Sequence, residues 1–187
     1  MQNSNIFIIS GPSGAGEDSI ISGLEKQLPV ERIVTTTTRT MREGEVEGES
    51  YYFFTKEEFE KNLEKGEFVE HAKQYNGNLY GVTKSEFKRV QESGKIGIWK
   101  IEYKGVITVK KAYPEIKAIF VNAATLEILE KRIRNRDNVS DEYIKERMEY
   151  TKQWLKHVDI YDYTVINEQG KLDEAIEKVV EIIKLNI

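Results

Sequence analysis

Residues 6–18 read IFIISGPSGAGED. Ile6 to Ser10 is an uninterrupted apolar run, the texture of a strand covered on both faces in a parallel sheet. It ends in a glycine-rich turn, and a helix is predicted from about Asp18 to Leu28 with Ile20, Ile21 and Leu24 as apolar positions. Strand, glycine turn and helix open a nucleotide-binding α/β unit, in which backbone N–H groups and the helix N-terminus converge on a phosphate. Gly11, Ser13, Gly14, Ala15, Gly16, Glu17 and Asp18 lie in a segment that follows G-x-x-x-x-G-K-[ST] in its glycines and departs from it at both reactive positions. Glu17 stands where a lysine would meet the β- and γ-phosphates. Asp18 stands where a hydroxyl would hold magnesium, and a carboxylate is also a competent Mg2+ ligand.

Replacing an ammonium by a carboxylate inverts the charge beside an anion. Two unit charges ~4 Å apart interact by ~4 kcal/mol at an effective dielectric of ~20. At about 1.36 kcal/mol per tenfold, the exchange is worth about three or more orders of magnitude in rate. A plainer reading of the same pair is an acidic first turn that complements the helix dipole.

Outward from this stretch, residues 34–93 are β-rich in composition: TTTTRT, SYYFFT and FVEHAKQY, with a turn signal at Asn76-Gly77. Within them KEEFEKNLEK (56–65) predicts an amphipathic helix, with Phe59 and Leu63 spaced i,i+4. Alternation then resumes: strand Ile96 to Glu102, helix Val106 to Ala112, strand Ile116 to Val121, helix Leu126 to Arg136 and helix Glu142 to Trp154. Strand Tyr163 to Ile166 and helix Leu172 to Leu185 close the chain. The pattern predicts an α/β domain with a doubly wound, mostly parallel sheet and an inserted mixed α/β subdomain.

The 187 residues make one domain's worth of chain. The 28 basic and 32 acidic residues are interspersed, and the net charge of −4 gives no sign of a nucleic-acid partner. There is no cysteine, which excludes disulfides and thiolate-bound metal, and His71 and His157 lack zinc-ligand spacing. No signal-peptide pattern or apolar run of ~20 residues is present, so no membrane association and a cytoplasmic location are expected.

Thr35 to Glu45, TTTTRTMREGE, then Tyr51, Glu70 in FVEH and Tyr80 in NLYG, resembles in order and approximate spacing the guanylate kinase family. The likeness continues to VIN at 165–167 and covers nearly the whole chain. It implies a P-loop core (1–34 and 95–187), a GMP-binding insertion (about 35–94) and a helical lid (about 132–147). It implies ATP-dependent phosphorylation of GMP to GDP, with Mg2+. Carried over residue by residue, Thr35, Arg39, Arg42, Tyr51 and Tyr80 belong to the GMP-phosphate segment, Glu70 and Thr83 to the guanine, and Asn167 to the neighbourhood of the adenine. Arg132, Arg136 and Arg147 are the lid arginines, joined at the transferring phosphates by Arg39. The chemistry suits these roles: arginine forks match phosphate oxygens, and Glu70 can accept from guanine N1–H and the 2-amino group. Arg132 equally suits a charged solvent face, with Glu127 as a helical neighbour.

The strand GIWKIEY (97–103) departs from the family's acidic D-x-D, carrying Lys100 and Glu102 at those positions. Strand periodicity places both on one face, where Glu102 keeps a carboxylate that orients the GMP site. A lysine in the loop has become acidic, and an acid on this strand has become lysine. Glu17 and Lys100 are therefore expected to face each other, either as a salt bridge plugging the ATP-phosphate site or with Lys100 as a substitute catalytic cation. The alternative function is a catalytically silent module that binds GMP or a phosphorylated protein partner through the same residues.

Overall fold

The computed structural model describes residues 5–74, 77–136 and 139–187, the side chain of Arg136 excepted; the turn expected at Asn76 lies outside the described residues. In chain order, β1 (Ile6–Ser10), α1 (Glu17–Gln27) and β2 (Val30–Arg32) lead into β3 (Thr36–Thr37), β4 (Tyr52–Phe53) and α2 (Lys56–Glu64). Next come β5 (Phe68–Lys73), β6 (Leu79–Thr83), α3 (Lys84–Gln91), β7 (Ile96–Lys100) and α4 (Tyr103–Ala112). The chain closes with β8 (Lys117–Asn122), α5 (Leu126–Arg136), α6 (Asp141–Leu155), β9 (Tyr163–Ile166) and α7 (Leu172–Lys184).

The larger sheet is parallel throughout and ordered β2-β7-β1-β8-β9. Its central strand is buried at every residue, which is why IFIIS carries no polar alternation. Alternate residues of β1 feed two cores. Phe7 and Ile9 pack with Ile20 and Leu24 of α1 and Val179 and Ile183 of α7. Ile6 and Ile8 pack with Val106 and Val109 of α4, Val90 of α3 and Trp99. The expected doubly wound sheet is thus present, with helices on both faces.

The residues between β2 and β7 form a second, mixed sheet ordered β4-β3-β6-β5. The β-rich texture of this stretch concealed one helix, α3. Its N-cap Thr83 accepts a hydrogen bond from the Glu86 N–H, and Phe87 and Val90 are buried beneath it. At the other end of the reading, β7 stops at Lys100, two residues short of expectation. Glu102 is the N-cap position of α4 and Tyr103 its first residue, so the helix interrupts the strand alternation expected for residues 100–103.

Glu86 joins the two sheets. Its buried carboxylate accepts from Val34 N (2.8 Å), Tyr52 Oη (3.2 Å) and the Arg89 guanidinium (2.8 and 2.9 Å). Arg89 in turn reaches Glu31 of β2 at 2.6 Å. One carboxylate therefore fixes the point where the chain leaves the large sheet for the small one.

Candidate active site

After β1 the chain turns at Gly11, where a Cβ would stand 2.2 Å from the Val121 carbonyl oxygen of β8. It then passes through left-handed Gly16 (φ 97°), a conformation that a side chain would strain. Gly16 is the N-cap of α1 and has no side chain to cap it; the Glu17 carboxyl itself draws on the Glu17 and Gly16 N–H groups, so an incoming anion competes with it there. The loop is clamped from behind. Asn167 Nδ2 donates to the Ala15 carbonyl (2.8 Å), and the Arg132 guanidinium donates to the Gly14 and Asn167 carbonyls (3.2 and 2.9 Å).

A cleft of about 250 Å³ opens between this loop and the small sheet. Gly11, Ser13, Gly14, Glu17 and Asp18 line it from the loop, Lys100, Ile101 and Glu102 from the end of β7, and Thr35, Tyr51, Glu70, Ala72 and Tyr80 from the small sheet. Gln74, Gly105, and Arg147, Tyr150 and Trp154 of α6 complete it. Strand alternation sorts the small sheet's residues. Tyr51 faces the cleft while Tyr52 turns back to Glu86, and Thr35 faces it while Thr36 turns away.

Lys100 Nζ lies 2.6 Å from Asp18 Oδ1, and that is its ion pair. The expected Glu17–Lys100 contact is therefore corrected: Lys100 reaches Glu17 only through its field. Glu17 is partly exposed at the mouth of the loop, yet desolvation pushes its carboxyl up to about 7, against the backbone N–H groups of Glu17 and Gly16 and the Lys100 charge, which lower it.

Glu70 is 5% exposed, and no described residue donates a hydrogen bond to its carboxyl. Burial, and then the charge of Glu102, pushes it up to about 7. Room for it exists because residue 105 is glycine: a Cβ there would stand 3.0 Å from Glu70 Oε2. Glu102 accepts from Tyr150 Oη (2.8 Å) and Gln74 Nε2 (3.2 Å). Burial and the Glu102 charge hold the Tyr150 phenol well above its usual range.

Several expected residues stand elsewhere. Thr83 turns away from the cleft, capping α3 and bonding the Ser85 hydroxyl at 3.0 Å. It lies three residues after cleft-facing Tyr80, and in a strand an odd offset reverses the face. Arg39 and Arg42 do not line the cleft. Arg39 forms a bidentate pair with Glu45 (2.6 and 3.0 Å) over the Tyr51 ring (5.3 Å), and Glu45 holds its guanidinium above its ordinary range. Arg42 is exposed, its N–H donating to Glu45 at 2.7 Å. Arg132 is half-buried with its guanidinium turned to the loop, and desolvation lowers its pKa. Asn167 is likewise spent on the loop backbone. The Arg136 side chain lies outside the described residues. Arg147 lines the cleft, its Nε donating to Tyr143 Oη (3.1 Å).

Gln74 and Tyr150, which hold Glu102, went unnoticed in the sequence. The signal for Tyr150 was its place on α6 one turn beyond Arg147. Gln74 carried none. Among the described residues, no three carboxylate or imidazole groups gather as a ready-made metal centre. No described helix is long and apolar enough to cross a membrane.

A glycine loop between a buried parallel strand and a helix with a glycine N-cap, facing a second sheet across one cleft, defines a P-loop nucleotide-binding α/β protein of the kinase type. Residues 3–186 match the family model described as guanylate kinase. The guanylate kinase of Idiomarina loihiensis is 38% identical over 88% of this chain and 79% of its own. That of Clostridium tetani is 37% identical over 98% and 86%. Among solved structures, the guanylate kinase from Anaplasma phagocytophilum superposes with a TM-score of 0.75 at 26% identity, over 96% of this chain and 84% of that one. The chain belongs to the guanylate kinase family.

Proposed function

We propose that this protein transfers the γ-phosphoryl group of ATP to GMP. The observation that carries the reading is the shared cleft: a glycine loop and a buried carboxylate, Glu70, with no hydrogen-bond donor among the described residues, line one cavity. An ionised Glu70 accepts from the adjacent N1–H and 2-amino donors of guanine. Adenine offers an N1 acceptor there, so the same carboxylate selects against AMP. Tyr51 and Tyr80 present hydroxyls to the GMP phosphate, and Arg39, stacked on Tyr51, exchanges part of its Glu45 pair for phosphate oxygens. Arg42 joins it from the same loop. Glu102, fixed by Tyr150 and Gln74, orients the groups around the acceptor.

The N-terminus of α1 and the loop N–H groups fit the donor phosphates, which displace the Glu17 carboxyl from the Gly16 and Glu17 N–H groups. Arg147 from α6 lines the site of transfer, and Arg136 is the second arginine assigned there. Arg132 acts indirectly, by fixing the loop. Asp18 would hold Mg2+, which when bound with the nucleotide neutralises phosphate charge. In this reading the chain divides into a core, a GMP-binding insertion over about 35–94 and a lid over about 132–147. A second reading, binding of GMP or a phosphorylated partner without turnover, is favoured by the Glu17 carboxyl at the loop.

A coupled assay with ATP and GMP separates the two. GDP formation from GMP, with AMP unreactive, supports the kinase; GMP binding without GDP formation removes it.

A further inference from the structure

The donor side of this cleft lacks the loop lysine, and the loop offers two carboxylates in its place. We propose that Lys100, carried on the neighbouring strand, is the cation for the donor phosphates, and that Asp18 positions it. The inference deepens the kinase reading and rests on it, but concerns nucleotide binding as well as turnover.

Lys100 ends β7, and the strand register places Ile9 of β1 beside it, one residue before Ser10 and two before the loop begins. A side chain leaving this position starts one strand spacing, ~4.8 Å, from the segment that becomes the phosphate loop. The side chain does run that way: its ammonium lies 2.6 Å from Asp18 Oδ1, on the second residue of α1. The charge therefore stands beside the first turn of the helix, whose Gly16 N-cap supplies no capping side chain and whose N–H groups at Gly16 and Glu17 now face the Glu17 carboxyl.

The charges in the cleft leave no other candidate among the described residues. Glu17, Asp18, Glu70 and Glu102 line it as acids, and Lys100 and Arg147 as bases. Arg147 belongs to α6 and is drawn to Tyr143, and Arg132 clamps the loop without lining the cleft, so Lys100 is the cleft-lining base seen paired with a residue of the α1 start. Without it, Glu17 and Asp18 face incoming phosphates alone.

The ion pair is a holding position rather than a plug. Its side chains are 45% and 68% exposed, and exposed pairs of this kind are weak. A polyphosphate competes for the ammonium at little cost. Lysine carries three donors on a flexible stem, so it can bind a phosphate oxygen while keeping Asp18. The two changes in sequence, acid into the loop and lysine onto β7, then form one exchange: the cation has moved from helix to strand, and Asp18 directs it inward.

The test is titration of the full chain with ATP in EDTA, which removes any contribution from magnesium ligation. The unmodified chain, Lys100→Met, Lys100→Arg, Asp18→Asn and the Asp18→Asn/Lys100→Met double variant are compared, with melting curves confirming folding. Lys100→Met is expected to weaken ATP at least tenfold and Lys100→Arg by less than threefold. Asp18→Asn is expected to have a smaller effect, absent in the Lys100→Met background; such non-additivity marks a positioning residue. Equal or tighter ATP binding by Lys100→Met overturns the proposal and makes the pair a plug, and no ATP binding by the unmodified chain overturns it outright. GDP formation is measured in parallel. Turnover that survives Lys100→Met sinks this inference and spares the kinase reading. No GDP from a chain whose ATP binding depends on Lys100 sinks the kinase reading and spares the inference.

Discussion

Glu70 Oε2 occupies the space beside Gly105, 3.0 Å from where a Cβ would stand. Gly105 lies in the first turn of α4, so alanine suits its backbone and should raise helix propensity by up to ~1 kcal/mol. The same methyl pushes aside the carboxylate proposed to bind guanine. Gly105→Ala is expected to keep or raise the melting temperature while weakening GMP about tenfold, or ~1.4 kcal/mol. Calorimetric titration beside a melting curve checks both; unchanged GMP affinity would remove Glu70 from the guanine site.

The Glu70 carboxyl is raised from 4.5 to about 7, first by burial and then by Glu102. Guanine donors require its ionised form, so GMP should bind about tenfold more weakly at pH 6 than at pH 8. Glu70→Gln should bind weakly at both. In the free protein the sign reverses. A folded-state pKa above the unfolded one stabilises the protein while protonated, fully below about 4.5, and that share is lost as pH rises through about 7. The shift corresponds to ~3 kcal/mol as an order of magnitude. Denaturant midpoints from pH 4 to 8 should fall less steeply in Glu70→Gln.

Arg132 joins the Gly14 and Asn167 carbonyls and bonds Gln169 Oε1 at 3.4 Å. Arg132→Ala leaves two backbone oxygens short of a charged donor. A loss of roughly 2–3 kcal/mol is expected. Lysine should recover little of it, because a single ammonium lacks the planar fork. Chemical denaturation measures the loss, and an Arg132→Ala protein as stable as the parent would contradict the clamp.

Thr83→Val removes the N-cap of α3 and should cost about 1 kcal/mol. GMP affinity should change by less than twofold, since Thr83 faces away from the cleft. A tenfold loss of affinity at normal stability would return Thr83 to the guanine site.

The large sheet was legible because both of its faces are buried. Strands such as IFIIS carry continuous apolar runs, and the helices between them have periodic apolar positions that local sequence expresses. The small sheet was less so. Its β3 and β4 are two residues each, too short for a periodicity, and α3 was hidden among strand-forming neighbours. Within the site, the cleft positions of Glu70, Tyr51 and Tyr80 follow from motif order. The partner of Lys100 did not: adjacent residues on a helix start diverge by about 100°, so choosing Asp18 over Glu17 required the coordinates. Thr83 failed for a related reason, since one residue in a strand decides the face.

Glu86 and its partners lie on the far side of the small sheet from the cleft, and none of them lines it. The joint between the sheets and the charges that line the cleft therefore draw on separate residues. Such a division lets the electrostatic sign of the loop be rewritten at 17, 18 and 100 with no demand on the scaffold. Inheritance of shape and inheritance of reactivity can part company in this chain, and the first is no witness to the second.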